Sequence, residues 1–239
     1  MNNARALVGC DVELLGLADY ELGSERRWLG YLSKLAGAPE KGSRMEFGDG
    51  YWAHRDGVAL EFGFEPTTQL GIFMHRLERG RSLASHNVVG TLDLNAYDNF
   101  SIEPIADRPW AQKYLDMGCA PDYLVRPDNR VIKRNVPPGI KAQPVRECSG
   151  HVHMSLPDYI IESEELKAQF IAEIDSVVYP LLAPLTHPDL RQWYRRRRVF
   201  RPTPYGVEYR TIGAGQLFAD SAETVMSMIF SMVQSVWEV

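Results

Sequence analysis

The chain has 239 residues, 45% of them hydrophobic and 24% charged, which is an ordinary globular balance. That composition excludes a disordered tail or a collagen-like fibre, and no apolar run reaches the roughly 18 residues of a membrane span. The net charge of -5 argues against a sequence-blind nucleic-acid binder, which is usually basic.

Three cysteines, Cys10, Cys119 and Cys148, form no C-x-x-C pair, so neither a disulfide scaffold nor a thiolate zinc site is expected. The opening MNNARALVGC lacks the apolar core of a secretion signal, so a cytoplasmic location is expected. No internal repeat occurs, and the length allows one large domain or two small ones, of which a single domain over 1–239 is expected.

In chain order, 5–17 (RALVGCDVELLGL) reads as a strand. A polar stretch from 18 to about 50 follows, with one helix over 25–35. Residues 51–64 read as a strand hairpin turning at Arg55-Asp56-Gly57, and 67–81 as a helix. A strand is expected over 86–96, a short helix over 108–117 and a strand over 118–125. The Pro-, Arg- and Lys-rich 126–145 reads as a surface loop, then 146–156 as a strand. Residues 162–183 form an amphipathic helix pattern, 198–213 a strand region broken by Pro202 and Pro204, and 216–236 a second apolar helix. Strands in runs with a few helices between them predict an α+β fold with a mainly antiparallel sheet.

The informative feature is polar alternation inside the strand candidates. Successive strand side chains point to opposite faces, so residues two apart share one. Asp11 pairs in this way with Glu13, His151 with His153 and Glu208 with Arg210, and Glu61 shares a face with Glu65, four residues on, if the strand continues. As a bare pattern the first means nothing: chance gives roughly four acid-x-acid pairs at this composition, and four occur. Its apolar context raises it, because a buried carboxylate costs several kcal/mol unless paired, protonated or metal-bound. One H-x-H pair among six histidines is less expected by chance. Between Arg191 and Arg201, six of eleven residues are arginine. The plain reading is a solvated face; the sharper one is a phosphate wall, with Arg198 and Arg201 facing the site. Carboxylates with a histidine suit magnesium or manganese, and arginines beside them suit a polyphosphate. Neither a Walker A loop nor a GxGxxG after a strand is present, so a nucleotide would be held by metal and arginine.

Five segments in this order, GCDVEL (9–14), DGVALEF (56–62), GCAPDY (118–123), SGHVHMS (149–155) and FRPTPYGVEYRT (200–211), resemble the type 2 COOH–NH2 ligases (amidoligases) of phages and bacteria. These belong to the wider glutamine synthetase and glutamate–cysteine ligase superfamily. The resemblance implies a curved, mainly antiparallel sheet with helices on one face, a glutamine synthetase-like catalytic domain. It implies an ATP-dependent carboxylate–amine ligase acting through an acyl phosphate, in the host cytoplasm if the chain is phage-encoded. By matching position it implies metal ligands at Asp11, Glu13, Glu61, His151 and Glu208, for Mg2+ or Mn2+. It implies ATP contacts from His153, Arg198, Arg201 and Arg210, with Arg201, Glu208 and Arg210 at the chemistry. The expected partners are small-molecule or peptide carboxylates and amines, with no nucleic acid and no membrane. Ala120 stands in GCAPDY where the family pattern has an acid, while Asp122 remains. The loops at 37–50 and 126–145 are candidate covers, and Glu65 or Asp122 a candidate base for the amine. The alternatives are a retained fold without catalysis, serving a phage-associated binding or structural role, and a phosphotransferase acting on a guanidino-like group.

Overall fold

Alternating side chains build the sheet. In the computed structural model, described over residues 5–17, 23–90, 94–97, 100–115, 122–134, 145–146, 148–185 and 196–238, the strands number eleven. They are β1 (Val8–Leu14), β2 (Met45–Gly48), β3 (Tyr51–Asp56), β4 (Ala59–Phe64), β5 (Phe100–Ser101), β6 (Asp122–Val125), β7 (Val131–Arg134), β8 (Val145–Arg146), β9 (Gly150–Ser155), β10 (Val199–Thr203) and β11 (Gly206–Tyr209). Nine form one open antiparallel sheet in the order β2-β3-β4-β1-β9-β11-β10-β6-β7, while β5 pairs with β8. The expected α+β class with an antiparallel sheet holds.

Register gives this sheet two unlike faces. Val12 lies opposite Phe62, Cys10 opposite Val152, and Val207 opposite Met154, all of them buried. Seven helices accompany the sheet among the described residues: α1 (Glu25–Leu35), α2 (Leu70–Ala84), α3 (Gln112–Leu115), α4 (Asp158–Ile161), α5 (Glu164–Leu182), α6 (Ala214–Leu217) and α7 (Ala222–Trp237). Their apolar stripes join the apolar side of the sheet. Phe73 of α2 meets Phe64 of β4 edge-on at 5.3 Å and Phe230 of α7 at 5.7 Å. Each such buried side chain contributes about 1.5–3 kcal/mol. The Ser163 hydroxyl caps α5 by accepting from Leu166 N, and Glu164 and Glu165 in its first turn suit the helix dipole.

Four segments depart from expectation. The strand expected over 86–96 is instead, over Ser85–Val89, a wide helical turn continuing α2. The His86 and Asn87 side chains bond back to the Ser82 and Leu83 carbonyls and prolong the helix, until Gly90 ends it at φ 79°. Only Asn95 pairs in strand fashion, with Leu15, and 91–93 lie outside the described residues. The loop expected over 126–145 begins as a β6–β7 hairpin closed by Arg126 and Arg130, with Asn129 in the left-handed region. Its remainder at 135–144, with 116–121 and 191–195, lies outside the described residues. The polar stretch before residue 50 contains β2, an edge strand. The helix expected over 216–236 is broken at 218–221, because buried Gln216 accepts from Gly213 N and donates to the Leu182 carbonyl, which pins the short α6.

Candidate functional site: a polar sheet face

The other face of the sheet carries the polar side chains. Glu13 lies across from Glu61, which lies across from His54 on β3. On the other side of β1, Asp11 lies across from His151, and Glu208 on β11 lies across from His153 and Arg201. Strand parity thus places every acid and histidine expected from the resemblance on one face. Gly63 keeps that face close-packed: a Cβ there would fall 2.3 Å from Trp52 Cζ2 and 2.7 Å from Asp11 Oδ1.

Three groups form along it. In the first, Glu13, Asp56 and Glu61 each place one ligand atom within 4.8 Å of the others. Facing carboxylates repel, and burial followed by the charges of Glu61 and Asp56 pushes the Glu13 carboxyl up to about 8, although Ser149 N donates to it at 2.7 Å. Lys41 pairs with Asp56, and its Nζ lies 3.7 Å from Glu61 Oε2. Burial pulls the Lys41 ammonium down, but Glu61 and Asp56 outweigh it and hold it above the ordinary lysine range. Glu61 Oε2 and both ring nitrogens of His54 are buried without a hydrogen bond, and His54 Nε2 sits 3.5 Å from Glu61 Oε1.

In the second group, Arg210 pairs with Glu208 and, through Nε, with Asp122 at 2.9 Å. Arg201 reaches the same two acids at 3.3 and 3.4 Å. His151 Nδ1 lies 3.3 Å from Glu208 Oε1. Burial, then the neighbouring Arg210, holds that imidazole well below its usual range. In the third, His153 bridges Asp11 (2.9 Å) and the Tyr205 hydroxyl (2.6 Å). Burial pulls His153 down, but the bond to Asp11 prevails and raises it. His153 thus bonds diagonally to Asp11, within ordinary side-chain reach, and His151 Nδ1 also lies 3.4 Å from Arg210 Nη1.

Of the residues expected to bind metal, Glu13 and Glu61 meet in one cluster. Asp11 is engaged by His153, and His151 and Glu208 join the arginine network. Arg201 and Arg210 lie on the polar face as expected. Arg198 does not join them: it stands at φ 61°, gives its backbone N–H to Asp175 and its guanidinium to the Arg126 carbonyl. Neighbouring Arg197 turns to buried Asp175 beneath the sheet. Glu65 is exposed past the end of β4, and Ala120 lies outside the described residues. Sequence reading missed Asp56, His54 and Lys41. The signal for the first two was present, since His54 and Asp56 are two apart on β3 and His54 faces Glu61.

The cluster fits a hard divalent cation. Three converging carboxylates supply oxygen donors, and the buried Glu61 Oε2 and His54 ring nitrogens make no hydrogen bond, Lys41 and Glu61 standing only at the longer ion-pair distances given above. Among the described residues no helix is long and apolar enough to cross a membrane. No family model, curated protein or solved structure matches this chain.

Proposed function

We propose that this chain is an ATP-dependent carboxylate–amine ligase on a glutamine synthetase-like sheet. One observation carries the reading: a metal-type acid cluster and a carboxylate-fixed arginine pair share one polar sheet face. The ordered sequence segments that resemble amidoligases supply Glu13, Glu61, Glu208, Arg201 and Arg210 to that face.

Glu13, Asp56 and Glu61 would hold magnesium or manganese. When bound, the ion neutralises phosphate charge and makes the γ-phosphorus a better electrophile. The chain's own groups do the rest. Arg201 and Arg210 receive the equatorial oxygens of the transferring phosphoryl. Asp122 and Glu208 already hold the Arg210 guanidinium in place, so little reorganisation is needed as charge develops. A substrate carboxylate oxygen attacks the γ-phosphorus, the bond to ADP breaks, and an acyl phosphate forms. The amine nitrogen then attacks the acyl carbon, the C–O bond to phosphate breaks, and the nitrogen gives its proton to the departing phosphate to leave the amide. Asp122 is engaged by both arginines and is poorly placed to take that proton.

The test is incubation with ATP, magnesium and panels of acids and amines, reading ADP by coupled assay and amide by mass. ADP formation that requires both an acid and an amine, with an adduct lighter by one water, supports ligation. ADP formed with a guanidino compound and no amide would support phosphotransfer instead. No turnover and no nucleotide binding would mean a fold retained for binding or assembly.

A further inference from the structure

Three carboxylates meet at Glu13, Asp56 and Glu61, and the group already answering their charge is the Lys41 ammonium. Its position follows from the chain before it. Arg55 N donates to the Pro39 carbonyl at 2.7 Å, Glu40 bridges Arg55 in parallel register, and the two side chains form an ion pair. The next residue therefore falls beside Asp56. Gly42, at φ 101°, then turns the backbone toward β2, a conformation that favours glycine. The lysine side chain stays 50% exposed, against 6% for Glu61. It is a tethered cation at the mouth of a part-buried acid cluster.

The lysine leaves part of the cluster unanswered. His54 is 5% exposed, and neither ring nitrogen has a hydrogen bond although Nε2 lies 3.5 Å from Glu61 Oε1. A buried imidazole with no hydrogen bond at either nitrogen, beside three acids, points to a further ligand. The same short segment, residues 41–44, carries Arg44, whose guanidinium lies 3.9 Å over the Trp52 ring, which in turn stacks on His54. Lys41 and Arg44 together cover this end of the polar face.

We propose that Lys41 is a built-in counter-ion that a divalent cation expels from the cluster, so that metal loading lifts residues 41–44 off Asp56 and Trp52. The proposal rests on the metal reading of the cluster given above. A doubly charged ion competes for the same oxygens as a singly charged ammonium, and the half-exposed ammonium regains water when it leaves.

The test is calorimetric titration of the full chain with Mn2+ alone, for wild type, Lys41→Met and Lys41→Arg, paired with mass-spectrometric acetylation of Lys41 in wild type. Lys41→Met is expected to bind Mn2+ about twofold to fivefold tighter than wild type, the scale of losing one part-exposed competing ion pair. Lys41→Arg keeps the charge and is expected to stay near wild type. In wild type, Mn2+ is expected to speed Lys41 acetylation, a readout that does not depend on how the variants fold. Equal Mn2+ affinity in wild type and Lys41→Met, or acetylation unchanged by Mn2+ that binds, overturns the proposal while leaving the metal site standing. Absence of Mn2+ binding in all three chains overturns the metal reading and this proposal with it.

Discussion

Glu13 makes the metal-free protein sensitive to alkali. Burial and the facing carboxylates of Glu61 and Asp56 raise its carboxyl from 4.5 to about 8. A group whose folded pKa is raised contributes stability that is fully present below the unfolded value and is lost as pH rises through the folded one. The loss therefore runs from about pH 4.5 to about pH 8. At 1.36 kcal/mol per pH unit the full span is about 5 kcal/mol. Glu13 keeps some contact with solvent, and screening brings the measurable part to about 2–3 kcal/mol. For a chain of this length that lowers Tm by about 5–10 °C. Thermal denaturation in EDTA between pH 5 and 8.5 reads it directly. Wild type is expected to lose Tm as pH rises, Glu13→Gln to lose markedly less, and magnesium to restore wild type most at the alkaline end. Parallel slopes in both chains, or a wild-type Tm that climbs over this range, would refute the reasoning.

Two further changes test the fold beneath the site. Gly80→Ala should gain about 1 kcal/mol of helix propensity in α2, but the new Cβ would stand 2.4 Å from Phe62 Cε2. Overpacking of about 1–3 kcal/mol outweighs the gain, so urea denaturation is expected to show net destabilisation. Asp175 is fully buried and accepts from Tyr209 Oη, Arg197 Nε and Arg198 N. Asp175→Ala removes the acceptor shared by Tyr209 and the Arg198 N–H, while half-exposed Arg197 turns to water, and chemical denaturation should show a loss of about 2–4 kcal/mol. An unchanged midpoint in either variant would contradict the packing described.

Period-two alternation made the polar face legible from the sequence. Asp11 and Glu13, His151 and His153, and Glu208 and Arg210 needed no more than strand parity to share one side. Which of them meet was hidden, because that depends on strand order. Only β1 lying between β4 and β9 brings Glu13 to Glu61 and Asp11 to the histidines. Asp56 was obscured by its place before Gly57, where an aspartate reads as turn chemistry. Lys41 reaches the cluster through the Glu40–Arg55 bridge, a contact between segments that no local pattern signals. The strand expected at 86–96 failed for the converse reason: local side-chain-to-backbone bonds from His86 and Asn87 extended a helix across β-branched residues.

The most direct test of a metal–nucleotide site on the polar face is calorimetric titration with a non-hydrolysable ATP analogue, with and without magnesium. It should be run on wild type, Glu61→Gln and Arg201→Met. The expected result is binding by wild type that requires magnesium and is weakened in both variants, the first through the metal cluster and the second through phosphate. Saturation with magnesium and no nucleotide binding by wild type would contradict it.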